Sequence, residues 1–552
     1  MPVSTNKSRR RSLLWIIIGI VLAGLVTWQV YKYKIAGKAI HKAVTEKSRG
    51  LYTITYDSLV IDEVGGSLHV KNIEIKPDTI VYHQMEEAGT NPPILLTLTI
   101  PQLDISGVKT PKALLNNKIE GGQIEIRDPT ITIELNDLSK DSTVYNPGKD
   151  ISKELLGKLL LIKMDNARVS HANLIVKKRA SDKFLFKGSN VSFLLSDLLI
   201  DSVSNKDSSR ILFSRNLEMT GDELVIPSKN KKYRWQIEKI RFASRDNSFH
   251  IGRIRLEPQM PEEEFAHSFK TQKDRYDFML EGVSLLHIDR ESLWHKRLEA
   301  DSLVVRNSSF KIYHDLSLPR DTASKIGSYP HQQLMKVPFP LSIKKMIFER
   351  SFIEYKEKNP KSDSAGKLQF YQVRATISNV TNRKEVIARN NRCVLLFNAR
   401  FLNKAPVRAE LVMLLKDPKG RFTIKGELAA IAAPSVNPLT QPMALARMEN
   451  GTIDKLRFTV DGSDSASTGK VEMLYRDLKI SLLKKDEEEN KYDKKGLASL
   501  AANIAIKNSN PGKKEQVRTA SVKMGRDLNR SFFNLIWKSI FKGVKETVGI
   551  KK

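Results

Sequence analysis

Cysteine is almost absent: Cys393 is the single one in 552 residues. One thiol excludes an internal disulfide, so burial and hydrogen bonding must hold the fold, and the count leaves the redox compartment open. Its setting, CVLLFNARFL, is an apolar strand pattern that suits a buried small hydrophobe better than a nucleophile, which needs an electropositive, partly exposed site. Acidic residues are also short, 62 against 92 Lys and Arg, for a formal charge of +30. That imbalance points to a polyanionic neighbour: nucleic acid, an anionic membrane surface or an acidic glycolipid. The ten histidines show no H-x-H or H-E-x-x-H spacing, so neither a metal site nor a cofactor is expected. No G-x-S-x-G occurs. GSDSASTGKV (462–471) has six residues between its glycines where a phosphate-binding loop has four, and it reads as a hairpin loop. Glu262-Glu263-Glu264 lies in a Pro-flanked polar stretch and reads as solvated surface. No catalytic residues emerge, and the chain is not expected to be an enzyme. Strong helical periodicity is scarce from 51 to 480; 108–118 and 150–161 are the best short helix candidates.

One long apolar run is present. After Lys7, Arg9, Arg10 and Arg11 comes LLWIIIGIVLAGLVTW, which with Gln29, Val30 and Tyr31 makes an uncharged stretch over 13–31. A helix of about 20 such residues crosses a bilayer core. Trp15 at one edge and Trp28, Tyr31 and Tyr33 at the other match interfacial aromatic belts. The run is followed by WQVYKYK, bulky and basic, which is unlike a signal-peptidase site. The expectation is an uncleaved anchor with residues 1–12 as a basic cytoplasmic tail and the bulk from about 50 outside.

From Leu51 onward apolar residues recur two apart, as in YTITYDSLVID, GSLHVKNIEI, ILLTLTI and PTITIEL, the period of a strand with one buried face. Gly65-Gly66, Pro92-Pro93, Gly121-Gly122 and Asp128-Pro129 punctuate them. One phrase occurs twice. SLHVKNIEIKP (67–77) and SFHIGRIRLEP (248–258) share their apolar slots: Leu68/Phe249, Val70/Ile251, Ile73/Ile254 and Ile75/Leu256. By alternation His69 and His250 fall on the polar face. The correspondence continues collinearly. YDSLVID (56–62) faces IEKIRFA (237–243), IRDPTITI (126–133) faces VRNSSFKI (305–312), MDNARVSHANLIV (164–176) faces IKKMIFERSFIEY (343–355), and FKGSNVSFLLSDL (186–198) faces LQFYQVRATISNV (368–380). The chain therefore reads as two copies of a β unit, 51–230 and 232–410. Strands repeated without crossover helices leave each sheet edge open to the next unit, which predicts one long twisted sheet with no helical layer over its apolar face.

Residues 411–483 continue as longer strands, and 484–495 (KKDEEENKYDKK) is a charged linker. LASLAANIAI (497–506) suits a last strand or a short helix. The segment 496–552 ends in a basic amphipathic helix predicted over about 526–549. Phe532, Ile536, Ile540 and Val544 recur every four residues, Phe533, Trp537 and Phe541 lie beside them, and Lys538 and Lys542 supply charge. Two readings stand: a helix lying in a membrane interface, and a helix capping the open sheet.

The N-terminal anchor, the β repeats and the closing GTIDKLRFTVDGSDSASTGKVEMLYRDLKISLLKK together resemble the AsmA-like superfamily of diderm bacterial envelopes, including its DUF748 type, in the style of Bacteroidota. The match is clearest over roughly 395–483. It implies a mainly β fold, an elongated twisted repetitive sheet forming a taco-like groove, anchored in the inner membrane with its bulk in the periplasm. It also implies lipid transfer or envelope homeostasis, with phospholipid or another anionic lipid as partner and no nucleic acid. The expected groove wall is Leu68, Val70, Ile73, Ile75, Phe249, Ile251, Ile254 and Leu256. The rival expectation is a closed β rod that binds other envelope proteins or glycan.

Overall fold

A computed structural model describes residues 44–45, 48–62, 64–109, 118–136, 160–179, 184–204, 207, 209–362, 364–485, 492–494, 507–513 and 515–550. The expected tail and membrane segment (1–31), most of both short helix candidates and LASLAANIAI lie outside these residues. Among the described residues no helix is long and apolar enough to cross a membrane. Strands make up 59% and helices 14%, so the chain is mainly β. It divides into two units: unit 1 is residues 1–229, 234–252 and 289–295, and unit 2 is 230–233, 253–288 and 296–552.

In unit 1, β1 (Tyr52–Thr55) and β2 (Ser58–Asp62) pair end to end with β3 (Ser67–Pro77), which pairs with β4 (Ile94–Ser106). β5 (Lys118–Arg127) and β6 (Thr130–Leu135) pair with β4 in one continuous register across Asp128-Pro129, where a proline that cannot donate and a left-handed Asp128 interrupt the ladder. β7 (Leu161–Lys178) runs parallel to β5 and β6. β8 (Phe184–Ile200), β9 (Ser214–Pro227) and β10 (Tyr233–Ala243) then add antiparallel, and β11 (Ser248–Pro258) spans the division at Gly252/Arg253. The inward residues of these strands form one closed core. Leu68, Ile105, Ile124, Ile126, Ile162 and Met164 are each 1% exposed or less. Helix α1 (Thr79–Glu87) starts at Asp78, whose carboxylate accepts from the Ile80 and Val81 amides.

Unit 2 carries α2 (Glu262–His267), β12 (Arg275–Ile288), β13 (Leu298–Asp315), α4 (Pro330–Leu334), β14 (Leu341–Lys358), β15 (Gly366–Thr381), α5 (Lys384–Arg389), β16 (Arg392–Phe401), β17 (Ala405–Leu414) and β18 (Phe422–Leu428). The short α3 (Arg290–Trp294) belongs to unit 1. After β18 come β19 (Ile431–Ala432), α6 (Asn437–Ala444), β20 (Ala446–Gly462), β21 (Ala466–Lys485), β22 (Tyr492–Lys494), β23 (Thr519–Gly525) and α7 (Phe532–Thr547). β13 and β14 are parallel; the pairs from β14 to β18, then β18–β20, β20–β21 and β21–β23, are antiparallel.

The repeat is written in the registers. Lys118 faces Leu161 in unit 1 and Leu298 faces Leu341 in unit 2, each pair 43 positions apart. The β7–β8 ladder slips between Val169 and Ala172, and the β14–β15 ladder slips between Phe348 and Ser351, its counterpart. Left-handed residues recur in step: His171 and Arg350, Asn190 and Gln372, Asp197 and Asn379, Gly66 and Asn247.

Two expectations are corrected. Helices do cover the apolar face in unit 2, where α4, α5, α6 and α7 contribute to its core clusters. Glu262-Glu263-Glu264 opens α2 instead of lying in a loop; acidic side chains suit a helix N-terminus, and Glu262 and Glu263 pair with Lys356 and Lys358 at 2.6 and 2.7 Å.

Candidate functional site

The apolar face of unit 2 is assembled by strand register. Phe278 faces Phe310, Phe310 faces Ile353, Ile353 faces Phe370, and Phe370 faces Phe401. A second row runs Val283, Val305, Phe348, Ala375 and Phe397. Directly opposed residues in a sheet share a face, and ring contacts join the two rows where Phe310 meets Phe348 and Phe370 meets Phe397. The rings touch edge to face: Phe278–Phe310 at 5.5 Å, Phe310–Phe348 at 6.2 Å and Phe370–Phe397 at 5.5 Å between centroids. Phe278, Phe310, Phe348, Ile353, Phe370 and Phe397 remain part-exposed.

This surface is bounded by two packed clusters. In one, Tyr329 before α4, Ile387 of α5 and Phe532, Leu535 and Ile536 of α7 pack on Cys393, Leu411, Met413 and Phe422. In the other, Val436 and Leu439 pack on Phe401, Leu428 and Ile431, with Phe370 and Trp537 against them. The candidate trough comprises the part-exposed aromatics and Ile353 of these rows, while Val283, Val305 and Phe401 are buried.

The C-terminal helix caps the sheet. α7 lies so close to β21 that a Cβ on Gly543 would collide with Val471. The Ser539 and Ser467 hydroxyls are 2.7 Å apart, Tyr475 donates to the Thr547 carbonyl at 3.1 Å, and Lys542 Nζ donates to the Lys523 carbonyl at 3.0 Å. Phe532 and Ile536, expected at a membrane interface, are 4% and 6% exposed because the sheet takes that stripe. Trp537, Ile540 and Val544 also pack against the core clusters of unit 2. Phe533 is 63% exposed, Trp537, Ile540, Phe541 and Val544 are part-buried, Lys538 is exposed, and the Trp537 and Phe541 rings stack at 5.9 Å.

The expected groove wall divides. Leu68, Val70 and Ile73 are 1%, 4% and 7% exposed inside the closed core of unit 1, and Ile75 packs against that core, so none of the four lines an open groove. Phe249, Ile251, Ile254 and Leu256 on β11 are part-buried. The trough aromatics were missed, although comparing the two copies position by position reveals them. Leu98, Ile131 and Val169 in unit 1 occupy the pairing positions of Phe278, Phe310 and Phe348, and Gly188 that of Phe370. Leu98, Ile131 and Val169 are 1%, 2% and 4% exposed. At these three positions unit 1 has a buried aliphatic side chain and unit 2 a part-exposed aromatic one, while the next position of the second row runs the other way, with part-exposed Phe193 in unit 1 against Ala375 in unit 2.

Other candidates carry less. A depression of about 590 Å³ is lined by Arg392, Glu410, Lys425 and Asp461 together with Val412, Leu414 and Phe422, and there Arg421 is tied to Asp417 and Asp461 accepts from Thr423. GSDSASTGKV forms the β20–β21 turn. Burial pushes the Cys393 thiol up to about 11, which keeps it protonated at neutral pH. His69 is exposed and lies 2.7 Å from Asp104. Among the described residues no group of three or more His, Cys, Asp or Glu side chains is placed to hold a metal ion. The chain matches no protein-family model and no curated protein.

Proposed function

We propose that the protein is an inner-membrane-anchored periplasmic lipid-binding protein, active in lipid transfer or envelope homeostasis, and that the trough of unit 2 holds acyl chains. The observation that carries this reading is the paired change between the copies, from buried Leu98, Ile131 and Val169 to part-exposed Phe278, Phe310 and Phe348. A part-exposed apolar row in water is costly, and an acyl chain laid on it gains about 0.8 kcal/mol per methylene buried. The +30 charge and the Lys residues of α7 favour anionic headgroups. Unit 1 favours the second reading for its own half: its filled core suits a closed β scaffold that binds envelope proteins or glycan.

Site-specific photo-crosslinking in cells separates the two. A benzophenone side chain placed at Phe348 is expected to give lipid adducts, and the same side chain at Val169, its buried counterpart, none. Only protein adducts at Phe348 would favour the scaffold and reject the trough as a lipid site.

A further inference from the structure

The segment 525–530, between β23 and α7, is clasped to the connection 316–340 between β13 and β14. The Lys325 amide donates to the Leu528 carbonyl at 2.7 Å. The Asn529 amide group donates to the Thr322 and Ala323 carbonyls at 2.7 and 3.0 Å. Arg526 donates to the Lys325 carbonyl at 2.8 Å and to Asp464 at 2.7 Å, and stands 4.3 Å over the Tyr329 ring. The last fixing is a histidine. Arg530 Nη1 is 2.9 Å from His314 Nε2, and His314 Nδ1 is 2.8 Å from Asp274. A guanidinium has donors only, so Nε2 must accept, and the single ring proton sits on Nδ1 and is donated to Asp274. A second imidazole, His331 of α4, is 2% exposed and neither of its ring nitrogens makes a hydrogen bond.

We infer that His314 and His331 make this clasp a proton-operated latch, in which protonating the imidazoles releases the segment 525–530 from the β13–β14 connection. A proton on His314 Nε2 would remove the acceptor that Arg530 Nη1 meets there and set two cations 2.9 Å apart. A proton on His331 would place a charge at a buried site, where desolvation outweighs the pull of the groups around it. The groups facing His314 are Asp274, Arg530, Lys325 at 3.8 Å from Asp274, Asp527 beside Arg530, and Glu357, its register partner on β14. The Tyr276 hydroxyl lies on Asp274 and the Tyr355 hydroxyl on Glu357. Burial pushes the Asp274 carboxyl up, but the hydrogen bond from His314, the Lys325 charge and the Tyr276 hydroxyl outweigh it and hold it below its ordinary value. It therefore stays charged where imidazoles titrate. Around His331 stand Asp464, Asp417 with its partner Arg421, and Arg526 over Tyr329. Burial pushes His331 down, against the upward pull of Asp464, Asp417 and the Gly420 backbone. A base depressed in the clasped state contributes stability above its free value of about 6.5, and loses it as pH falls below that value. α7 follows directly on this segment, so release frees the root of the helix that covers β21. The latch does not depend on what the trough holds.

Hydrogen exchange of the full chain in detergent tests it between about pH 7.5 and pH 5, corrected for intrinsic exchange. The expected result is protection in 316–336 and 525–531 falling by about tenfold or more at the acid end, while β7 and β8 stay protected. The double variant H314Q/H331L is expected to stay protected throughout. Equal protection of the wild type at both ends, or the same loss in the variant, would overturn the latch. Should the variant fail to fold, imidazole Cε1–H exchange in the wild type decides instead: titration of His314 or His331 must coincide with the loss of protection, and a mismatch rejects the inference.

Discussion

Gly543 shows how a single residue reports on packing. In an isolated helix, Gly→Ala stabilises by about 1 kcal/mol. Here the added methyl would meet Val471 of β21, so the sign should reverse. Gly543→Ala is expected to destabilise unit 2 by about 1–3 kcal/mol, the cost of overpacking, as read from denaturant midpoints. Stabilisation instead would mean that α7 does not lie on the sheet. The sequence placed an amphipathic helix here and offered the cap as one of two readings. It did not indicate which stripe would be buried, because Phe532 and Phe533 are equally apolar as letters. The choice follows from Gly543, Ser539 and Thr547, small residues that let one side of the helix approach the strand.

The repeated bulge is the element-scale counterpart. Arg350 and Gln372 sit at φ 51° and 52°, a conformation that costs most residues about 1–2 kcal/mol and costs glycine little. Gln372 is also exposed, so packing does not confuse the test. Gln372→Gly is expected to be neutral or to stabilise by up to about 1 kcal/mol, and Gln372→Val to destabilise by about 1–2 kcal/mol, measured by chemical denaturation. Destabilisation by glycine equal to that by valine would argue against the left-handed backbone. The strands themselves, and their recurrence at an offset near 180 residues, were legible because alternation is local and a register slip would turn every apolar side chain to water. The parallel pairing of β5 and β6 with β7, and of β13 with β14, was not. Parallel strands are joined by long connections, and nothing within residues 136–160 or 316–340 marks which strand the chain returns to.

At the scale of the whole molecule, one duplicated pattern has been used in two ways. Unit 1 closes an aliphatic core around Leu68, Ile124 and Met164, and unit 2 leaves an aromatic row part-exposed between two packed clusters. The phrase shared by β3 and β11 directed attention to Leu68 and Val70, since an apolar strand face reads the same whether its partner is another strand or a ligand. Distinguishing them needs the paired positions, Val169 against Phe348 above all, and pairing becomes visible only once register is known. The stretch 451–485 forms most of the β20–β21 hairpin. The full chain, extracted in mild detergent and examined by native mass spectrometry with lipid analysis, is expected to carry phospholipid near one molecule per chain. Phe310→Asp with Phe348→Asp should lower that occupancy about tenfold, since a charge in the trough costs more than the roughly 1.4 kcal/mol which that factor represents. A folded, lipid-free wild-type chain, or equal lipid in the double variant, would contradict the central claim.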